Sequence, residues 1–341
     1  METKPLFSVI IPAYNYGHYI SESIESILNQ SFQDWECIII DDGSKDDTAE
    51  VVQHFTEKDA RIKYHFQNNA GLSKARNMGI SLAKGSYFQF LDADDLLESG
   101  KLQHFNETIL KHPEADVLYS EGRLFKDSNL NQLLYNYLEL EQKPWTLDVS
   151  GKGNKIIIEF LKSNRFLVNM PIVKANIAKE ILFDIQHLSA ARFGFAHENS
   201  ERFIQGNDDW DFWTRAALSG AEFFKIPYTL GSYSLLRLHG GSMSTKQLQM
   251  ISSQIVMRSK WNALIHDPSI KKTNAKFLQL SILLYGIHSK IDGNSAVGNK
   301  FILQALGIGS DLKYTLFSLI SLVLPGQTAM NLLKKITGQT T

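Results

Sequence analysis

The chain has 341 residues, of which 43% are hydrophobic and 21% are charged, and its formal net charge at pH 7 is −1. This composition is typical of a globular protein with a sizeable core, arranged as one large domain with appendages or with a smaller second domain, and it gives no electrostatic basis for binding nucleic acid. The single cysteine, Cys37, excludes an internal disulfide and a cysteine metal cluster, so we expect a buried core residue in a reducing, cytoplasmic protein. The N-terminus lacks the apolar stretch of a secretory signal, and no apolar run reaches the roughly 18 residues of a membrane span.

From residue 6 to about 120, short apolar runs alternate with segments of helical period. This alternation predicts an α/β fold with a Rossmann-like, mostly parallel sheet flanked by crossover helices. The predicted strands are "LFSVIIPAYN", "ECIIIDD", "RIKYHFQ", "SYFQFLDADD" and "ADVLYS". Ser44 and Asp47 resemble a capping box for the second helix, and Gly85 is predicted to close the third.

Three polar clusters, "PAYN", "DDGS" and "DADD", each stand where a predicted strand ends. In a parallel sheet, ligands bind beyond the carboxyl ends of the strands. We therefore expect these clusters to meet on one edge.

The acids of "DADD", Asp92, Asp94 and Asp95, repel one another, and a divalent cation would relieve that repulsion. The alternative is a simple strand-to-helix turn in which these side chains cap the next helix.

Asp42 can accept a hydrogen bond from a base or a ribose. Gly71 precedes a helix whose first turns carry Arg76, which is a suitable arrangement for binding a diphosphate. An exposed arginine on a solvated helix face is the alternative for Arg76.

Beyond residue 125 the pattern is less regular until "NDDWDFWTRAAL", where acids begin a helix. We expect its aromatic residues, Trp210, Phe212 and Trp213, to lie in the core and Asp211 to stabilise the helix. The tail from about 246 is predicted to be helical. Its run "YTLFSLISLVL" is too short to span a bilayer; it is either a core helix, which we favour, or an interfacial helix aided by Lys334 and Lys335.

Six segments in order resemble the successive motifs of the inverting glycosyltransferases of family 2, which have a GT-A fold. They are "SVIIPAYN", "IIIDDGSKDDT", "NAGLSKARNMGI", "FLDADD", "NDDWDFWTRAA" and "LRLHGGSMS". The resemblance implies a GT-A domain over 1–245, with a nucleotide-sugar-binding half (1–125) and an acceptor and catalytic half (126–245). A helical C-terminal region, 246–341, would follow it.

The resemblance also implies roles for single residues. Asp209 matches the general base, although the family usually has Glu-Asp where this chain has Asp208 and Asp209. Asp94, or its rival Asp95, matches the metal ligand, and His239 resembles a histidine that completes metal or diphosphate contacts. The resemblance also implies a set of residues that bind the nucleotide sugar: Pro12, Ala13, Tyr14, Asn15, Asp42, Gly71, Arg76, Asp92 and Ala93.

The implied reaction moves a sugar from a nucleoside diphosphate sugar to an acceptor hydroxyl, with Mn²⁺ or Mg²⁺. The acceptor would be a saccharide or a lipid-linked saccharide in polysaccharide, lipopolysaccharide or glycolipid synthesis. The enzyme would be cytoplasmic, with possible peripheral membrane contact through its C-terminal helices. Two alternatives are a nucleotidyltransferase, disfavoured because "PAYNYGHYI" has no Lys or Arg, and a non-catalytic nucleotide-sugar-binding protein.

Overall fold

A computed structural model describes residues 4–126, 129–134, 148–184, 206–227, 231–239 and 247–337. Within these ranges the chain forms two compact units, with boundaries after residues 185, 208 and 242. The first unit contains every described strand, and the second is helical.

Eleven described strands, numbered in chain order, form two sheets in the first unit. The larger sheet comprises β1 (Phe7–Ala13), β2 (Trp35–Asp41), β3 (Ile62–Phe66), β4 (Tyr87–Phe90), β6 (Val117–Tyr119), β9 (Pro171–Lys174) and β10 (Phe223–Lys225). The smaller sheet comprises β5 (Leu96–Leu97), β7 (Gly122–Lys126), β8 (Asn129–Leu134) and β11 (Ser234–Leu238).

The larger sheet is mostly parallel, as the sequence predicts. Its strand order is β10-β6-β9-β4-β1-β2-β3, and only β9 runs antiparallel to its neighbours β4 and β6. The carboxyl ends of β4, β1 and β2 are therefore adjacent on one edge. The helices of this unit are α1 (Gly17–Leu28), α2 (Thr48–Thr56), α3 (Leu72–Leu82), α4 (Lys101–Lys111), α5 (Asn154–Lys162), α6 (Ala175–Ile181) and α7 (Asp208–Leu218), the last beginning at the unit boundary.

The core of the first unit follows directly from the apolar patterning. Every residue of β1 and β2 is buried, including Cys37, as strands covered on both faces require. Helix α1 packs on them through Ile20, Ile24 and Ile27, which recur at helical spacing and so share one face of the helix.

The fourth predicted strand is too long. β4 ends at Phe90, and the backbone N–H of Asp95 donates to the carbonyl of Asp92 at 3.1 Å, so "DADD" lies in a turn. The antiparallel strand β9 was not predicted, because "PIVK" is short and shows no alternation.

Two predicted helix boundaries are also wrong. Ser44 does not cap α2, whose N-cap is Asp47, because the Ser44 hydroxyl accepts a hydrogen bond from the backbone of Asn15 instead. Helix α3 ends at Leu82, before Gly85. Glycine is needed at 85 because a Cβ there would lie 2.5 Å from the Ser8 hydroxyl on β1.

The second unit is built from five described helices, in agreement with the predicted helical extension. They are α8 (Gln247–Leu264), α9 (Pro268–Ile291), α10 (Ser295–Ile308), α11 (Leu312–Val323) and α12 (Gly326–Thr337). Helices α9 and α10 approach so closely that a Cβ on Gly286 would lie 2.7 Å from the Gly298 carbonyl oxygen. None of the helices in the described ranges is long and apolar enough to cross a membrane.

Helix α11 fits the core interpretation only in part. Tyr314 and Phe317 are buried in the second unit, but five aliphatic residues of the same helix are exposed. They are Leu312, Leu316, Leu319, Ile320 and Val323.

Glu36 on β2 ties three parts of the first unit together. Its carboxylate accepts hydrogen bonds of 2.6 Å from the Ser8 hydroxyl on β1, from the Lys84 backbone N–H and from the Lys63 ammonium on β3. Burial opposes the charged form, but these three donors outweigh it and hold the pKa of Glu36 below its ordinary value.

We expect Glu36→Gln to lower the free energy of unfolding by about 2 kcal/mol at neutral pH, because it leaves buried donors without a charged acceptor. A carboxylate with a lowered folded pKa contributes stability above its unfolded pKa, and this contribution is lost as the pH falls through the folded value. The difference from wild type should therefore shrink below about pH 4 in urea titrations. Glu25→Gln, at an exposed position on α1, is the control, and an equal loss there would contradict this role for Glu36.

Candidate active site

The loops that follow β1 and β2 are joined by hydrogen bonds. Asn15, in the left-handed region at φ 59°, donates its N–H to the Ser44 hydroxyl at 2.9 Å and accepts from the Lys45 N–H through its side-chain oxygen at 2.8 Å. Asparagine is among the residues that tolerate this conformation. Pro12 and Ala13 are buried, whereas Tyr14 is 43% exposed. The "PAYN" loop thus presents Tyr14 and Asn15 at the edge of the sheet.

Asp42, at the end of β2, is buried and holds the loop that precedes α3. Its carboxylate accepts from the Gln67 side chain at 2.6 Å and from the backbone N–H groups of Ala70 and Gly71, each at 2.8 Å. Gly71 has φ 93°, which favours glycine. Since the Gly71 N–H is already engaged by Asp42, its contribution to the edge is the backbone turn it permits.

Arg76 on α3 reaches the turn after β4. Its guanidinium lies 2.7 Å from an Asp92 carboxylate oxygen and 5.1 Å from the ring centre of Phe183. The Arg76 side chain is 2% exposed and that of Asp92 is 36% exposed. The buried cation therefore neutralises an acid whose other side faces solvent.

Asp94 meets His239, which lies 145 residues further along the chain. An Asp94 carboxylate oxygen and the His239 Nε2 are 2.8 Å apart, and both side chains are largely buried. Two motifs that the sequence resemblance links to metal or diphosphate contacts thus lie side by side.

Asp95 points into the protein. Its two carboxylate oxygens accept from the Arg237 N–H at 2.8 Å and from the Asn169 side-chain amide at 2.6 Å. The Ser23 hydroxyl on α1 donates to the carbonyls of Ala93 and Asp95, each at 2.8 Å. Asp95 therefore anchors the turn, and Asp94 is the acid that projects beside the histidine.

Arg237 on β11 is the residue that joins these elements. Besides binding Asp95, it donates through Nε to the Asp94 carbonyl at 2.9 Å and forms a 2.8 Å ion pair with Glu22 on α1. Its side chain is 2% exposed and packs over the rings of Tyr19 and Phe125. Arg237 was not predicted from the sequence, although an arginine between apolar residues of a strand is itself a signal of a buried ionic contact.

Burial and neighbouring acids raise the pKa values of Asp94 and Asp95. For Asp94, burial and the charge of Asp92 raise the pKa, and His239 opposes them. For Asp95, burial and the charges of Asp94 and Asp92 raise the pKa well above its ordinary value, against the effect of Arg237. Burial and the same three acids also raise the pKa of the Tyr16 hydroxyl, which stays protonated. The edge thus has a surplus of negative potential.

Asp209 lies at the start of α7, where the acid cluster before the tryptophan is predicted to act. One carboxylate oxygen accepts from the Asn164 side-chain amide at 3.0 Å and the other from the Trp210 backbone N–H at 2.7 Å. Asn164 was not identified from the sequence, because nothing local marks a residue 45 positions from its partner.

The remaining residues of this cluster are structural. Trp210, Phe212 and Trp213 are buried, and the Trp210 indole donates to the Phe160 carbonyl at 2.7 Å, in agreement with the expected core role. Asp211 is buried and pairs at 2.8 Å with Arg215 one turn along α7, in agreement with service to the helix.

The structure therefore brings Asp92, Asp94, Asp95, Arg76 and His239 into one connected network. Among the residues that the structure describes, no group of three or more His, Cys, Asp or Glu side chains is arranged to hold a metal ion. The Asp94–His239 pair supplies two donors, which is the number of protein ligands that suits a cation completed by substrate phosphates.

With this geometry in place, comparison with known proteins identifies the class. The model of the Glycosyl transferase family 2 matches residues 8–196. This chain therefore belongs to glycosyltransferase family 2 and is a transferase. The matched range contains the first four motifs, whereas Asp209 and His239 lie beyond it. Membership decides against the nucleotidyltransferase and non-catalytic alternatives.

Two curated relatives illustrate the similarity. An uncharacterized glycosyltransferase of Haemophilus influenzae is 33% identical over 211 residues, which are 58% of this chain and 84% of that protein. The minor teichoic acid biosynthesis protein GgaB of Bacillus subtilis is 27% identical over 330 residues, which are 91% of this chain but 35% of that protein.

Two solved structures share the fold. S. aureus TarS 1–349 in complex with UDP-GlcNAc aligns with a TM-score of 0.66 at 18% identity, covering 98% of this chain and 92% of that one. The mannosyltransferase PcManGT from Pyrobaculum calidifontis, in complex with GDP-Man and Mn²⁺, aligns with a TM-score of 0.53 at 15% identity, covering 96% and 83%. The fold is thus GT-A, as the sequence resemblance implied.

We expect Arg237→Lys to lower the free energy of unfolding by about 2–4 kcal/mol. A lysine ammonium cannot reproduce the fixed fork of the guanidinium, which donates to the Asp94 carbonyl and pairs with the Glu22 carboxylate at the same time. Thermal and urea unfolding measure the change. Arg61→Lys is the control, since the Arg61 side chain is 35% exposed against 2% for Arg237, and a smaller loss is expected there. Equal losses in the two variants would show that Arg237 does not organise the edge.

Proposed function

We propose that this glycosyltransferase moves a sugar from a nucleoside diphosphate sugar to an acceptor hydroxyl, with inversion at the anomeric carbon. The observation that carries the proposal is the 2.8 Å contact between Asp94 and His239, next to the nucleotide-side loops of β1 and β2. The donor class is supported by two solved structures of similar fold, which are complexes with UDP-GlcNAc and with GDP-Man.

On the nucleotide side, we assign the base and ribose to the edge formed by the first two loops. The exposed Tyr14 offers a ring, and Pro12, Ala13 and Asn15 shape the loop around it. Asp42 already accepts three protein hydrogen bonds, so one of its roughly four lone-pair sites remains for the nucleotide. Gly71, Arg76, Asp92 and Ala93 complete the predicted set, with Asp92 contacting the donor while paired to the buried Arg76.

The residues present fit a divalent cation, Mn²⁺ or Mg²⁺. Asp94 has its charge disfavoured by burial and by Asp92, which a cation would relieve, and His239 provides a nitrogen beside it. When bound, the cation would offset the negative charge that develops on the leaving diphosphate. We assign Asp94 over Asp95 as the ligand, because both Asp95 oxygens are bound inside the protein.

We assign the general base to Asp209. It accepts the proton of the acceptor hydroxyl as that oxygen attacks the anomeric carbon from the face opposite the nucleoside diphosphate. The bond from the sugar to the acceptor forms as the bond to the diphosphate breaks, so a single displacement inverts the configuration. Asn164 and the Trp210 N–H hold the carboxylate in a fixed orientation for this step.

For the acceptor, we propose a saccharide or lipid-linked saccharide in polysaccharide, lipopolysaccharide or glycolipid synthesis. The similarity to a teichoic acid biosynthesis protein supports a polymer of the cell surface. We retain the division into a nucleotide-sugar-binding half, 1–125, an acceptor and catalytic half, 126–245, and a helical region, 246–341. We also retain a cytoplasmic location, with peripheral contact at the inner face of the cell membrane.

We expect Asp209→Asn to lower kcat by about 10² to 10⁴-fold while leaving the donor affinity unchanged, because only the proton acceptor is lost. Product formation with a panel of nucleotide sugars and acceptors measures the rate, and calorimetry with UDP or GDP measures binding.

Asp208→Asn is the matched control for the base, since it removes the neighbouring acid of the same motif, and a drop of less than about tenfold is expected. Undiminished turnover by Asp209→Asn would refute the assignment, as would a larger loss in the Asp208 variant.

We expect Mn²⁺ to strengthen binding of UDP or GDP to the wild-type protein and EDTA to reverse the effect. Asp94→Asn should lose most of this enhancement, by about tenfold or more, since it removes the proposed ligand. Asp95→Asn should keep the enhancement but unfold at a lower temperature, because its buried oxygens hold Arg237 and Asn169. An intact enhancement in Asp94→Asn would contradict the proposed metal ligand.

A further inference from the structure

Helix α11 carries an exposed aliphatic stripe, formed by Leu312, Leu316, Leu319, Ile320 and Val323. Their exposed fractions range from 44% to 82%. The spacings of 4, 3, 1 and 3 residues place all five on one face of the helix. Apolar side chains scattered singly over a surface are ordinary, but a continuous stripe marks an interaction site.

The opposite face of α11 shows the reverse distribution. Ser318 and Ser321 are fully buried, and their hydroxyls donate to the carbonyls of Tyr314 and Phe317 in the same helix, at 2.8 and 2.9 Å. The helix thus satisfies its buried polar groups internally and places most of its large aliphatic residues outside. Packing on the second unit does not account for this arrangement.

Both ends of α11 are held in place. Asp311 caps its N-terminus and pairs with Lys276 on α9 at 2.9 Å. At the other end, the Lys290 ammonium donates to the carbonyls of Ser321, Leu322 and Leu324. The stripe is therefore a fixed feature of the second unit.

The described helices of the second unit carry an excess of positive charge. Residues 247–337 contain ten Lys and Arg against three Asp and Glu, whereas the whole chain has a net charge of −1. Lys313 is exposed on α11 itself, and Lys300 and Lys335 are exposed on the adjoining helices of the chain. Such an excess of cations beside an apolar helix face complements a surface that is apolar inside and anionic outside.

We propose that the aliphatic stripe of α11 inserts into the interface of an anionic lipid membrane, with the helix lying in the plane of the surface. The lysines of α11 and its neighbours bind the headgroups while the aliphatic side chains enter the acyl boundary. A second copy of the chain fits less well. The stripe is one helix wide, with a footprint on the order of 200 Å², far below the roughly 800 Å² per partner of a stable interface.

This docking does not depend on the donor, on Asp209 or on turnover. It supplies a physical reason for an enzyme without a described spanning helix to meet a lipid-linked acceptor. Since it is measured without any nucleotide sugar, its failure and that of the proposed function are separate outcomes.

The test is flotation of the full chain with vesicles of phosphatidylcholine alone or mixed with phosphatidylglycerol, at low and high salt. We expect wild type to float with the anionic vesicles, less at high salt, and to stay unbound with the neutral ones. The Leu316→Glu/Leu319→Glu variant should lose about tenfold or more of this binding. Lys313→Gln/Lys335→Gln should lose about twenty-fivefold, since about one kcal/mol for each of the two lysines is about fivefold per lysine.

Leu110→Glu is the matched control, because Leu110 is 75% exposed on α4 in the first unit. It should bind as wild type does, and circular dichroism melts should show that all variants are folded. Three results would overturn the proposal: no binding of wild type to anionic vesicles, equal binding by the stripe variant, or a wild-type dimer in analytical ultracentrifugation that the stripe variant abolishes.

Discussion

The negative charge gathered after β4 is the constraint around which the candidate site is arranged. Asp92, Asp94 and Asp95 occupy one turn, and each meets a different partner from a distant part of the chain: Arg76 on α3, His239 after β11, and Arg237 with Asn169. Like charges this close repel strongly when partly buried, so the turn holds its shape only while those partners are in place. Arg237 is central because it contacts both the turn and Glu22 on α1.

The negative charges of the three acids are balanced to different degrees by their neighbours. Asp92 and Asp95 each lie beside a buried arginine, whereas Asp94 has an imidazole. The pKa of Asp94 is raised, which shows that its charge is incompletely balanced by the protein alone. A cation with a diphosphate would complete the balance, which is how a cluster of acids can serve a ligand that is itself an anion.

The two compact units differ in which residues they bury and which they expose. The first buries its strands β1 and β2 completely and exposes polar loops at one edge of the sheet. The second packs aromatic and aliphatic residues of five helices together, yet leaves the aliphatic stripe of α11 outside. A hydrophobic stripe in water is unfavourable, so its presence beside an excess of lysines is best explained by a surface that covers it.

The sequence by itself determined the parallel core and the edge of the sheet at which the three polar clusters meet. The apolar runs of β1 and β2 and the spacing of Ile20, Ile24 and Ile27 depend on local periodicity, which a sequence displays directly. The order of six motifs was specific enough to indicate the family.

Only the tertiary structure showed how the surroundings of the neighbouring acids differ. Asp94 and Asp95 are neighbours with the same side chain, and they differ because one faces His239 and the other is enclosed by Arg237 and Asn169. The exposed face of α11 also became visible only in the structure, because the apolar run in the sequence is compatible with either a core helix or an interfacial helix. Contacts between residues more than a hundred positions apart leave no local pattern, so they emerge only when the chain is folded.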